Sequence, residues 1–149
     1  MTGALRDVLC STLLLAGLAG CATDDTPTSS GGGASGGRVI KANPSFSADI
    51  QEIFDRRGCT NNSCHGNVAQ GELDLRAGNS HAELWNVQSA HPASPLVRVR
   101  PGHALDSSYL VDRLDGTGPG VRMPQAAVPL DSIDMQNIIN WIHLGAANN

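Results

Sequence analysis

Two thiols and an imidazole fall close together in Cys59-Thr60-Asn61-Asn62-Ser63-Cys64-His65. Thiols so placed can add to the two vinyl groups on one edge of a porphyrin, and a histidine directly after the second supplies an axial nitrogen to the iron. Such sites ordinarily have two residues between the cysteines, and here there are four. Asn61 and Asn62 tolerate turn and left-handed conformations, so the extra residues can bulge outward while the thiols keep their separation. Two other chemistries fit the same residues. In an oxidising compartment Cys59 and Cys64 could close a small disulfide loop, leaving His65 an ordinary surface residue. A Cys-x4-Cys pair also lies within the range used for zinc, although no second cysteine pair completes such a site.

An electron-carrying iron benefits from a second strong axial ligand, which leaves no seat for oxygen or peroxide, and a thioether in that place raises the reduction potential. Met1 belongs to the leader, so the candidates are Met123 and Met135. Met135 falls inside an amphipathic helical stretch, where packing explains it. Met123 stands in a Gly- and Pro-rich loop with Pro124 fixing the backbone after it, and it is chosen as the metal ligand. His81, His91, His103 and His143 are alternatives, His103 first among them because it follows Pro101-Gly102.

The elements that must position these groups are helices separated by Gly and Pro loops. Phe46, Ile50, Ile53 and Phe54 share one helical face, with Ser45 or Ser47 as N-cap and Gly58 as terminator, so Cys59 opens just after a helix. Ser80-His81-Ala82-Glu83 has the form of a capping box and starts a short helix. Leu96 to Arg100 alternates like a strand but stops at Pro101-Gly102, and is expected to be an extended connector. Asp106 is expected to cap a helix carrying Leu110, Val111 and Leu114. Asp131 caps the last one, with Ile133, Ile138, Ile139, Trp141 and Ile142 on its apolar stripe and Gly145 past its end. The expected class is all-α, a small helical domain with long loops around one haem. Aromatic residues make up only 3% of the chain, which leaves volume that a large flat cofactor, or equally a core of Leu, Ile and Val, would fill.

The N-terminus reads as an export signal over residues 1–20: Arg6, an apolar run from Leu9 to Leu18, and small residues before Cys21. Leu18-Ala19-Gly20-Cys21 resembles the bacterial lipobox, which implies lipidation of Cys21. Residues 21–42, rich in Gly, Ser, Thr and Pro, form a flexible tether that cannot bury enough apolar surface to offset its ordering entropy, and the folded domain spans residues 43–149. Ala22 after the modified cysteine leans toward the outer membrane of a bacterial envelope, with the domain in the periplasm. The net charge of −4 and scattered Lys and Arg give no basic field for nucleic acid.

Taken together, Phe46 to Phe54, Cys59 to Gly66, Leu73 with Leu75, Pro101-Gly102, Ser108-Tyr109-Leu110, Arg122-Met123-Pro124 and Ile139-Asn140-Trp141-Ile142 with Gly145-Ala146 resemble a family of bacterial cytochrome c domains, class I-like and of the planctomycete type. The resemblance spans about Phe46 to Ala146. It implies one covalent haem c, with Cys59 and Cys64 as thioethers, His65 and Met123 on the iron, and Trp141 packed near the porphyrin. It further implies first and last helices crossing beside the haem. The function expected is transfer of single electrons between redox partner proteins, not enzymatic catalysis. An exported, disulfide-stapled binding module without cofactor is the alternative. A haem protein with an open iron site, a peroxidase or gas sensor, is the third.

Overall fold

The structure is a computed structural model and describes residues 37–149. The signal, the lipidated Cys21 and most of the tether expected from sequence lie outside the described residues. Among the described residues no helix is long and apolar enough to cross a membrane.

A π-helical turn, Phe46–Ile50, runs straight into α1, Gln51–Arg56; then follow α2, Ser80–Leu84, α3, Ala104–Ser107, α4, Tyr109–Asp115, and α5, Ser132–His143. The all-α expectation is corrected by this inventory. Helix accounts for 35% of the described residues and isolated β-bridges for 4%, so the domain is only partly helical. The Leu96–Arg100 segment does more than connect: Val97 bridges antiparallel to Gln88 and parallel to Ser108, and Val99 bridges parallel to Trp85. The physical reason is the Gly and Pro that punctuate the described residues, such as Gly58, Pro92, Pro95, Pro101, Gly102, Gly116 and Pro119, which cut the helices short and leave backbone groups to pair across loops instead of within helices.

Local details follow the same logic. Ser45 caps the first turn by accepting from the Ala48 amide at 3.3 Å, and Gly58 ends the run with φ +72°. Asp131 caps α5 by accepting from the Ile133 and Asp134 amides, and Gly145 follows the helix with φ +98°. The expected capping box at Ser80 is absent. Ser80 lies within α2, buried, and its hydroxyl donates to Gln51 Oε1 at 2.5 Å, because Gln51 on α1 offers a buried acceptor that also needs satisfying. Asp106 likewise caps nothing: the chain breaks at Ser108 between α3 and α4, where the Ser108 hydroxyl donates to the His103 carbonyl at 2.6 Å.

The core joins Ile50, Ile53 and Phe54 of the first helical run to Leu84, Val99, Leu110, Val111, Leu114, Ile138, Trp141 and Ile142. α5 packs on the opening turn and on α3, where the Gly102 amide donates to the Ile142 carbonyl at 2.7 Å. The end of the expected tether is docked on α5. Asn137 accepts from the Lys41 amide at 2.7 Å and donates to the Val39 carbonyl, while Asn140 donates to the Lys41 carbonyl. Arg38 pairs with Asp131 at 2.6 Å and with buried Asp134 at 2.9 Å. Side-chain amides on α5 thus satisfy an extended segment whose own residues are exposed, a pairing invisible in local composition.

Candidate functional site

The Cys59–His65 loop closes on itself through its backbone. The Cys59 amide continues from α1 by donating to the Phe54 carbonyl at 2.8 Å; the Cys64 and Gly66 amides donate to the Asn61 carbonyl at 2.8 and 3.0 Å. The His65 amide donates to the Cys59 carbonyl at 3.1 Å, which brings the imidazole-bearing residue beside the first cysteine despite the wide spacing. Asn62 lies in a turn, as the sequence allowed, and neither Asn61 nor Asn62 is left-handed; the reversal uses Gly58 and these backbone bonds. Gly66 permits the closure, since a Cβ there would stand 2.5 Å from the Thr60 carbonyl oxygen.

His65 is held in one tautomer. Its Nδ1 lies 3.3 Å from the Leu73 carbonyl oxygen, which can only accept, so Nδ1 carries the proton and Nε2 keeps its lone pair. Burial lowers the affinity of the ring for a second proton, and the backbone at Leu73 and Gln70 only partly opposes this. The result is a neutral imidazole with one ligand-ready nitrogen. Cys59 is half-buried and Cys64 exposed, both as free thiols. Burial pushes the Cys59 thiol up to about 11, so it rests protonated.

These groups border a cavity of about 690 Å³, within the roughly 300–1,000 Å³ typical of cofactor pockets. Phe54, Leu73, Leu75, Leu84, Leu110 and Leu114 supply apolar wall, and Cys59, Cys64, His65 and Met123 all line it. Met123 is positioned by its amide, which donates to the Arg113 carbonyl of α4 at 2.7 Å, and by Arg122, whose Nε donates to the Leu114 carbonyl at 2.9 Å. A thioether, an imidazole nitrogen with a free lone pair, two unbonded thiols and an apolar enclosure suit a metalloporphyrin. The described residues hold no group of three or more His, Cys, Asp or Glu placed to share a metal ion, so Cys59 and Cys64 lack the further ligands that a zinc site needs.

Trp141 does not belong to this cavity. Its ring packs on Phe46 at 5.2 Å and on His81 at 6.1 Å, and its indole N–H donates to the Ala147 carbonyl at 2.9 Å. Placement near the porphyrin, implied by the resemblance, gives way to a role in fastening the C-terminal segment, which His81 shares by donating from Nε2 to the Ala146 carbonyl. Met135 packs on the core outside the cavity. His103 is exposed beside Asp106 and His143 is exposed; of the alternative histidines only His91 lines the cavity.

Sequence reading missed the cationic part of the wall. Arg57, Arg98 and Arg113 line the cavity, as does Tyr109, and no local motif links positions so far apart in the chain. Arg98 is buried, and it donates to the carbonyls of Glu72, Gly71 and Glu83 and to the Glu83 carboxylate. Its one advance signal was its place between Val97 and Val99 in the alternating segment.

Comparison of the chain with family models, with curated proteins and with solved structures gave no match.

Proposed function

We propose that this protein is a one-electron carrier holding one covalently attached haem, with Cys59 and Cys64 as the thioether residues and His65 and Met123 as axial ligands. The observation that carries the reading is the cavity itself, because all four side chains border a single, largely apolar hollow of about 690 Å³. When bound, the haem supplies a reversible one-electron couple. His65 would give the iron its Nε2, oriented by the Nδ1–H bond to Leu73. Met123, anchored through its own amide to α4, would close the remaining axial position to small molecules, which favours a carrier over a peroxidase or gas sensor. The leucine-rich part of the wall would lower the local dielectric around the bound group.

The cavity supports this reading over a disulfide-stapled module, which has no use for so large and so largely apolar a hollow. The lipobox-like Cys21 supports delivery to a bacterial envelope, where the carrier would meet redox partner proteins. Absorption spectroscopy tests the proposal. Protein made alongside cytochrome maturation machinery should be red, with an intense Soret band and sharp bands on reduction; colourless, folded protein would overturn it.

A further inference from the structure

The cavity wall carries Arg57, Arg98 and Arg113, and no carboxylate among the described residues lines it, in a chain of net charge −4. Arg98 is paired with Glu83 and Arg57 lies 4.0 Å from Asp134, so among the described residues Arg113 is the one cation of this wall without an acidic partner, and such a charge favours an anionic occupant. Two of the three guanidinium groups are already engaged. Arg98 is committed to Glu83 and to three carbonyls, and Arg57 gives Nη2 to the Val128 and Pro129 carbonyls at 2.6 Å.

Arg113 differs. Its side chain has one acceptor among the described residues, the Pro119 carbonyl at 3.3 Å, which leaves most of its five N–H donors for something else. His91 stands beside it. A Cβ on Gly120 would collide with Arg113 Nη1 and come within 3.0 Å of His91 Nε2, so both nitrogens crowd one point that only glycine, here at φ +94°, leaves open. His91 Nδ1 accepts from the Ala93 amide at 3.3 Å, so the proton of the neutral ring sits on Nε2, which is a donor and not a metal ligand. Tyr109 braces the pair: its ring lies 5.9 Å from His91 and 5.8 Å from Arg113 Cζ, and its hydroxyl donates to the Pro119 carbonyl at 2.7 Å.

We infer that Arg113 and His91 form the seat for a carboxylate of the cavity's occupant, which on the haem reading above, on which this inference rests, is a haem propionate. Arg113 compensates the charge and His91 Nε2–H adds a directional hydrogen bond.

The test compares haem-loaded wild-type protein with Arg113→Gln, Arg113→Lys, His91→Leu and the control Arg100→Gln, whose residue is exposed and outside the cavity. Midpoint potential and the resonance Raman propionate bending band are read for each. Arg113→Gln should shift the redox equilibrium about tenfold toward the oxidised state, the order expected for one charge acting across roughly 12 Å at an effective dielectric near 20, and should move the propionate band. Arg113→Lys should restore most of the potential, and Arg100→Gln should change neither quantity. Haem-loaded Arg113→Gln that matches wild type in both overturns the seat while sparing the haem reading; wild-type protein without haem overturns both. Should Arg113→Gln fail to load, His91→Leu decides by the propionate band alone, which must move if the seat is real.

Discussion

Arg57, two residues before Cys59, donates through Nη2 to the Val128 carbonyl at 2.6 Å, so the segment that presents the first thiol also holds the loop that presents Met123. The same nitrogen donates to the Pro129 carbonyl. Replacing Arg57 with Gln removes these bonds and should release the loop by about 1 kcal/mol, roughly a fivefold gain in its open population. Carbon monoxide binding to the reduced protein measures this, and an affinity unchanged from wild type would mean that Arg57 does not restrain Met123.

The two methionines separate cleanly. Met123→Ala should lower the reduction potential and admit carbon monoxide, because the cavity loses its thioether. Met135→Ala should leave spectrum and potential as they are and cost about 1–2 kcal/mol in denaturant unfolding, the reduced cavity penalty expected for a half-buried side chain. An altered axial ligand signature in Met135→Ala, with Met123→Ala silent, would reverse the assignment.

Trp141→Phe tests the placement of the tryptophan away from the cavity. The indole bond to Ala147 is lost, so thermal stability should fall by about 1 kcal/mol. The haem absorption bands and the potential should stay where they are, and a shifted Soret band would put the ring back against the porphyrin.

Stability toward acid should reveal the α5 cap. The Asp131 carboxyl is held below its ordinary value of 3.8, chiefly by the hydrogen bond from the Asp134 amide and then by Arg38. A native value below the unfolded one means that the unfolded chain binds more protons in the window between them. The stabilisation from Asp131 is therefore fully present above about pH 4 and is lost as pH falls through the depressed native value. In Asp131→Asn the unfolding free energy should depend less steeply on pH across that window, as read by denaturant titrations; an unchanged slope would remove Asp131 from the account.

Much of the scaffold was legible because its signals are local. The Phe46–Phe54 periodicity, the stop at Gly58, and the Asp131 and Gly145 caps each depend on residues a few positions apart. What escaped depends on distant partners. Ser80 could only be drawn from its expected cap by Gln51, Trp141 packs on Phe46 and His81 away from the cavity, and Leu96–Arg100 found bridges at Gln88 and Ser108. The site divides in the same way. Cys59, Cys64 and His65 form one local cluster, and Met123 was marked by its loop, whereas the Arg98 and Arg113 wall exists only once α4 and the 96–100 segment pack around the hollow.

Covalent capture at Cys59 and Cys64 is the claim on which the rest depends, and intact-mass spectrometry of the purified protein under denaturing conditions tests it most directly. The account predicts a polypeptide heavier by one haem, with the added mass gone when both cysteines are replaced by alanine. An unmodified mass, or one lower by the two hydrogens of a Cys59–Cys64 disulfide, would contradict it.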